Sequence, residues 1–217
     1  MFQILVTYHE LFFQGFLTTL KLLGLIVLIG VPLGTLLGII GGRYSAEIGS
    51  MINGARFITK VIPVLVLLFW LHYPLQGLLG IVVNPFWTTT IALGIINLIS
   101  VSYLISAELK LLPMSYREAG ITLGMSSNQI VRYVELPLLL RRTLPQILLL
   151  QAAMLEYTLF ASLISVPEIF RVSQTMNSMT YQPVAIYTLL VLFFFIILAP
   201  LHLLITWIQK RYVPKYS

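Results

Sequence analysis

The sequence predicts an all-α membrane protein with five transmembrane helices, its N-terminus outside and its C-terminus in the cytoplasm. Three observations predict this. Apolar residues make up 59% of the 217 residues and charged residues 9%. A soluble domain carries roughly 25% charged residues, so this chain cannot cover a water-facing surface. The apolar residues gather into five runs, each near the ~20 residues that a helix needs to cross a bilayer. The Lys and Arg residues gather in alternate connections between the runs.

The runs fall near Phe16–Ile40, Ile58–Leu75, Trp87–Ile105, Leu144–Val166 and Val184–Trp207. Backbone groups in lipid must be bonded within the segment, so each run is read as a helix. The first run carries Gly30, Gly34, Gly38 and Gly42 at four-residue spacing, three overlapping G-x-x-x-G steps on one face. Small residues let two helix backbones approach closely in lipid. The partner is either another helix of this chain or a second subunit. Lys21 is early enough in the first run to snorkel outward. Pro63 and Pro74 interrupt the second run. The third carries Asn97 and Ser100, polar groups suited to bonding between helices or to lining a path.

The fourth run holds Glu156, the one acidic residue deep in a span. A charge near the bilayer centre costs a few kcal/mol, so such a residue faces a cavity or a partner. Two roles are open: contact with a solute amine or guanidinium, or a structural carboxyl paired inside the bundle with Lys21 or a neighbouring subunit. Tyr157 and Thr158 could add hydrogen bonds beside it, or pack as ordinary helix residues. Gln151 lies about two turns before Thr158 on one face, and either role suits it.

Lys and Arg set the orientation. Arg43, Arg56 and Lys60 fall in the first connection, and Lys110, Arg117, Arg132, Arg141 and Arg142 in the third. Lys210, Arg211 and Lys215 form a basic tail. The second connection has none and the fourth only Arg171. The positive-inside rule places the first connection, the third and the tail in the cytoplasm. This distribution reads the net charge of +6 as membrane topology and not as a nucleic-acid surface. No Lys or Arg precedes the first run, so the chain lacks the charged start of a signal peptide.

Several chemistries are set aside. There is no cysteine, so neither a disulfide nor a thiolate metal site is possible. His9, His72 and His202 fall near span ends without metal spacing, and no metal site is expected. Trp70, Trp87 and Trp207 also lie near span ends, as in aromatic belts. No G-x-x-x-x-G-K-[ST] phosphate loop occurs, and no catalytic residue is assigned.

The third connection, 109–142, is the most polar long segment, embedded in a single membrane domain spanning 1–217. Pro113 ends the extension of the third helix. Ser115 precedes Glu118 by three residues, a capping-box pattern, and a short helix is expected to Leu123. Gly124 suits the left-handed residue that closes it. Ser126 and Gln129 repeat the box for a second short helix, and Pro137 is read as its stop. The alternatives are a docking element or a solvated connection without a partner.

Glu118-Ala119-Gly120, then Gly124, nine residues, and Val134-Glu135-Leu136-Pro137 resemble the EAA loop of ABC importer permeases. The family form is Glu-Ala-Ala, three residues, Gly, nine residues, Ile-x-Leu-Pro. Spacing agrees throughout, with Gly120 for the second Ala and Val134 for Ile. Thr19-Leu20-Lys21-Leu22, Pro63-Val64-Leu65-Val66 and Ser162–Ile169 are similar to segments of the polar amino-acid subgroup, the histidine/glutamine/arginine/opine type. The chain departs from that subgroup where relatives have Arg-Gly-Thr-Pro (here Lys60–Pro63), Ala-Glu-x-x-Arg-Gly (here Ser102–Ala107) and Lys-Asp-Thr-Ser (here Glu156–Leu159). These departures bear on the solute.

The resemblance implies a type I ABC importer permease fold in a bacterial cytoplasmic (inner) membrane, importing polar or cationic amino acids by alternating access. It implies that Glu118, Ala119, Gly120, Gly124, Leu136 and Pro137 meet the ATPase. It also implies separate ATPase subunits that hold ATP and Mg, a second permease subunit, the same or related, and an extracytoplasmic substrate-binding protein. No cofactor is expected in this chain. Glu156, Tyr157, Thr158, Asn97 and Ser100 are candidates for the substrate path. The alternatives are a permease for another small solute, or a non-transporting membrane scaffold.

Overall fold

The computed structural model describes residues 2–212, with side chains described for 6–211. Lys215 of the basic tail lies outside them. The described residues form ten α-helices and no strand. In order they are α1 (Phe2–Ile39), α2 (Ala46–Val61), α3 (Val64–His72), α4 (Pro74–Leu79), α5 (Pro85–Leu111), α6 (Met114–Thr122), α7 (Ser127–Ile130), α8 (Leu136–Thr158), α9 (Ile169–Thr180) and α10 (Pro183–Tyr212). Two widened π-type turns, Ile40–Tyr44 and Val131–Glu135, and a 3-10 turn, Leu159–Ile164, extend these helices.

Four continuous helical stretches are long and apolar enough to cross a membrane: Val6–Tyr44, Pro85–Leu111, Ser127–Ile164 and Pro183–Arg211. A fifth candidate span is α2 followed by α3 and α4, two parts bent by 94°. The expected single helix over Ile58–Leu75 is therefore corrected. It is broken at Ile62, which is extended (φ −82°, ψ 121°). The cause is Pro63, whose ring disfavours the helical conformation of the residue before it. Pro74 opens α4 and marks a second break after His72.

Despite its bend, this segment follows α5 along its height. A Cβ built on Gly49 would lie 3.6 Å from Lys110 Nζ, near the end of α5. Arg56 Nη1 donates to Ser100 Oγ at 3.0 Å. His72 Nδ1 lies 3.2 Å from Thr88 Oγ1, at the start of α5. So Arg56 and Lys60, read above as residues of a connection, belong to a helix of the bundle.

The glycine stripe packs within the chain. A Cβ on Gly30 would lie 2.6 Å from Asn97 Nδ2, and one on Gly34 would lie 2.7 Å from the Leu98 carbonyl. One on Gly38 would lie 2.7 Å from the Ser102 carbonyl, and one on Gly42 would lie 3.1 Å from Ser106 Cα. The four glycines thus run down α5 turn by turn. Backbones this close need a side chain no larger than hydrogen. The core beside this seam is aliphatic: Leu22 and Ile26 of α1 meet Leu93 and Ile96 of α5 and Met154 of α8. α5 lies at the centre, and its buried hydroxyls bond inward. Thr89 and Thr90 each donate to the carbonyl four residues back, Pro85 and Phe86 respectively.

Candidate functional site

The loop between α5 and α8 folds through local chemistry. Pro113 stands at the N-cap of α6, and no side chain caps that end. The expected Ser115–Glu118 box is corrected on this point. The proline, with φ −60°, starts the helix two residues before Ser115, which leaves Ser115 inside the first turn. The other end closes as expected. Gly124 has φ +73°, its N–H donates to the Ile121 carbonyl, and the Met125 N–H donates to the Gly120 carbonyl at 3.0 Å. These two bonds make a Schellman closure, which favours glycine at the left-handed position. The second box forms: Ser126 Oγ accepts from Gln129 N–H, and Gln129 Oε1 accepts from Ser126 N–H at 2.7 Å.

Pro137 does not stop the second helix, which corrects that expectation. The chain runs on from Ser127 to Ile164 as one helical stretch. Just before the proline, Leu136 N–H bonds to the Val131 carbonyl, five residues back. That widened turn relaxes the clash between a proline ring and the carbonyl of the preceding turn. The second half of the loop is thus one end of the fourth crossing. Gly120 is buried against Ile130, whose Cγ1 would lie 2.8 Å from a Cβ there, and this contact sets α6 against α7. Glu118, Ala119 and Gly124 are exposed, while Leu136 and Pro137 are half-buried. Met114, Ile121, Leu123 and Tyr133 are large apolar side chains more than half exposed on the same loop.

An ion pair ties the loop to the first crossing. Arg43, in the widened turn after α1, pairs with Glu135, in the widened turn before α8. Both side chains are mostly buried. The sequence offers no local sign of this pair.

The residues proposed for a polar path divide. Asn97 is fully buried and joins three helices. Its Nδ2 donates to the Ile26 carbonyl of α1 at 3.2 Å and to Gln151 Oε1 of α8 at 3.0 Å, and Gln151 Nε2 donates back to Asn97 Oδ1 at 3.2 Å. Ser100 is buried and accepts from Arg56. Thr158 is buried and donates to the Leu155 carbonyl. The ring of Tyr157 stacks on Phe160, with centroids 6.1 Å apart. Glu156 is exposed on the outer side of α8. It makes no ion pair with Lys21, which is exposed on α1. That suggested pairing is corrected: within one chain the two charges do not meet.

At the other end of the bundle, Glu168 caps α9. Its carboxylate accepts from Phe170 N–H at 2.9 Å and Arg171 N–H at 2.8 Å. The side chain is fully buried. Burial pushes its pKa up from 4.5 to about 7, against the lowering effect of those two bonds. Thr19 of α1 accepts from Ile169 N–H at 3.2 Å and seats the helix start. Among the described residues no group of three or more His, Asp or Glu side chains is placed to hold a metal ion. His9 and His202 bond to backbone carbonyls of their own helices.

Four long apolar helical stretches and a bent fifth candidate, packed around α5 with a two-helix loop at one end, define a multi-span membrane component. The chain belongs to the family described as the binding-protein-dependent transport system inner membrane component, which matches residues 30–217. Its relatives include the glutamine transport system permease protein GlnP of Escherichia coli K12, 24% identical over 191 residues, covering 86% of this chain and 87% of that one. The nopaline transport system permease protein NocM of Agrobacterium fabrum is 23% identical over 205 residues, covering 90% and 82%. The arginine transport system permease protein ArtQ of Bacillus subtilis is 23% identical over 171 residues, covering 77% of each chain. Among solved structures, an amino acid ABC transporter crystallised with histidines superposes with a TM-score of 0.85 at 25% identity, covering 97% of this chain and 98% of that one. An inward-facing MetNI methionine ABC transporter shares the fold, with a TM-score of 0.67 at 18% identity over 93% and 98% of the chains. The type I permease architecture and the inner-membrane location follow.

Proposed function

We propose that this chain is a permease subunit of an ATP-driven importer for polar or cationic amino acids. It works as a dimer with itself or a related permease, beside two ATPase subunits that hold ATP and Mg. An extracytoplasmic binding protein delivers the solute. The observation that carries this reading is the loop. It is a rigid, capped helix pair closed at Gly124, with exposed apolar side chains, in the spacing of the EAA permeases. The glutamine, nopaline and arginine relatives support the solute class. Glu118, Ala119, Gly120, Gly124, Leu136 and Pro137 form or support the ATPase contact. With the basic tail and the loop on the cytoplasmic side, five crossings leave the N-terminus outside.

The mechanism is alternating access. Closure of the ATPase pair moves the loop, and the fourth crossing moves with it because α7, the widened turn and α8 are continuous. ATP binding must stabilise one conformation more than the other, since equal binding to both shifts nothing. Glu156 faces outward from the single chain, where a second permease subunit or a central path would meet it.

The test is uptake by proteoliposomes holding this chain with its permease and ATPase partners and supplied with the binding protein. L-Arginine, L-glutamine and nopaline are the solutes. Uptake that needs ATP and the binding protein is expected for at least one. Glu156→Gln should impair arginine uptake more than glutamine uptake at unchanged expression. Equal loss for both would make Glu156 structural, and absence of ATP-driven uptake of all three would overturn the solute class.

A further inference from the structure

We propose that Arg56, with Ser100 and Tyr103, forms a carboxylate-recognition point on the solute path, which selects solutes bearing an α-carboxylate. The proposal rests on the amino-acid import reading above and deepens it. The sequence places Arg56 among the charges of a connection. The structure places it halfway up the bundle, on the face of α2 that meets α5. Below it, Gly49 lies beside Lys110. Above it, His72 meets Thr88. Ser100, its partner, is near the middle of α5 (Pro85–Leu111) and one turn from the buried Asn97–Gln151 pair. An ionised side chain at that height is costly, and such residues pair or line a path.

Among the described residues no ion pair is formed by Arg56. Arg56 Nη1 donates to Ser100 Oγ at 3.0 Å, and its Cζ lies 5.9 Å from the Tyr103 ring centroid. Guanidinium stays protonated and presents five N–H donors. The Ser100 hydroxyl occupies one of them. A hydroxyl and a ring face orient the group without supplying a counter-charge. If Arg56 only joined α2 to α5, a neutral amide would serve as well at lower desolvation cost. The planar fork of arginine matches a carboxylate in two parallel hydrogen bonds. Tyr103 is partly exposed beside it, so the site is open on one side. The guanidinium is complementary to the α-carboxylate that every free amino acid carries.

The experiment uses the purified complex of this chain with its permease and ATPase partners, without the binding protein. Equilibrium binding of L-arginine is compared with that of agmatine, its decarboxylated form. L-Glutamine is compared in the same way with 4-aminobutanamide. The parent complex is expected to bind at least one amino acid about tenfold or more tightly than its decarboxylated partner, the scale of one charge-assisted hydrogen bond. Arg56→Gln should abolish that preference, and Arg56→Lys should keep part of it. Arg56→Gln retaining the parent's preference would overturn the proposal. So would a parent complex that shows no preference. Loss of assembly in both Arg56→Gln and Arg56→Lys would make Arg56 a structural link and would also overturn it. Failure of the import reading shows separately, as absence of ATP-driven uptake by the parent.

Discussion

The glycine seam makes a quantitative prediction in which one chemical change has opposite effects at different positions. Gly34→Ala places a methyl group 2.7 Å from the Leu98 carbonyl oxygen and 2.8 Å from Val101 Cβ. The carbonyl belongs to a helix backbone and cannot swing aside. To restore ordinary contact, α1 must move away from α5 by several tenths of an ångström or more, which opens the seam at Gly30 and Gly38 as well. Overpacking of this kind costs about 1–3 kcal/mol. The same substitution gains about 1 kcal/mol of helix propensity. At Gly34 the steric cost wins or at least cancels the gain. At Gly24 and Gly54 no atom lies within 4 Å of the added Cβ, so only the gain remains. Thermal unfolding of the purified complex in one detergent provides the assay. Gly24→Ala and Gly54→Ala should unfold at or slightly above the parent temperature, and Gly34→Ala below both. Gly34→Leu should reduce the amount of assembled protein. If Gly34→Ala were as stable as the two controls, α1 and α5 would not be in the close contact described.

Three further outcomes are expected. Gly124→Val puts a β-branched residue at φ +73°, which is a poor fit; binding-protein-stimulated ATP hydrolysis should fall while membrane insertion persists, and parental coupling would remove the loop from the ATPase contact. Removing either partner of the mostly buried Arg43–Glu135 pair leaves one charge uncompensated, a loss of about 3–5 kcal/mol. Arg43→Gln should therefore lower stability, and the exchange Arg43→Glu with Glu135→Arg should recover part of the loss; an additive double mutant would show that the pair does not form. Glu168 holds its proton up to about pH 7 in the fold but only to about 4.5 unfolded. The folded state thus binds the extra proton between those values, and this group's contribution to stability is full below pH 4.5 and lost as pH rises through 7. Glu168→Gln should flatten the melting temperature across that window, and an unchanged pH profile would refute the assignment.

What was legible in the sequence was local. Gly124 and the Ser126–Gln129 box depend on residues within one turn of each other, and both formed as expected. The Ser115 box has the same pattern and did not form, because Pro113 fixed the helix start first. The glycine spacing announced a close helix contact but not its partner, since a stripe of small residues describes only one side of a seam. α5 supplied the other side. Pro63 announced a break, but the 94° bend and the continued climb beside α5 depend on contacts with Ser100 and Thr88. Pro137 does not end its helix, because a proline stops a helix only where the preceding turn is tight. Here the turn at Val131–Glu135 is widened. The contacts of Arg56 and Glu135 leave no mark in the local sequence. Each is defined by a partner far along the chain, Ser100 and Arg43 respectively, and no periodicity encodes such pairs.

The distribution of close contacts bears on how movement at the loop can reach the solute. α1 and α5 touch backbone to backbone along four glycines, a contact that tolerates sliding or separation poorly because packed interfaces are not continuously deformable. They are therefore expected to move as one body. The elements joined to that body by side chains are different. α2 meets α5 through Arg56 and Ser100, and it leads into a break at Ile62 that can absorb a change of angle. The fourth crossing is tied to the α1–α5 body at two heights, by Asn97–Gln151 near the middle and by Arg43–Glu135 at the loop. A push on the loop thus acts on a lever with two polar attachments. If the Arg43–Glu135 attachment releases first, α8 pivots about Asn97 and Gln151, and Glu156, beyond that pivot, moves opposite to the loop. Gln151 is then the fulcrum. Gln151→Leu should leave the loop able to bind the ATPase but uncouple ATP hydrolysis from uptake. Parental coupling in that variant would show that the fourth crossing moves with α1 and α5 as a single body.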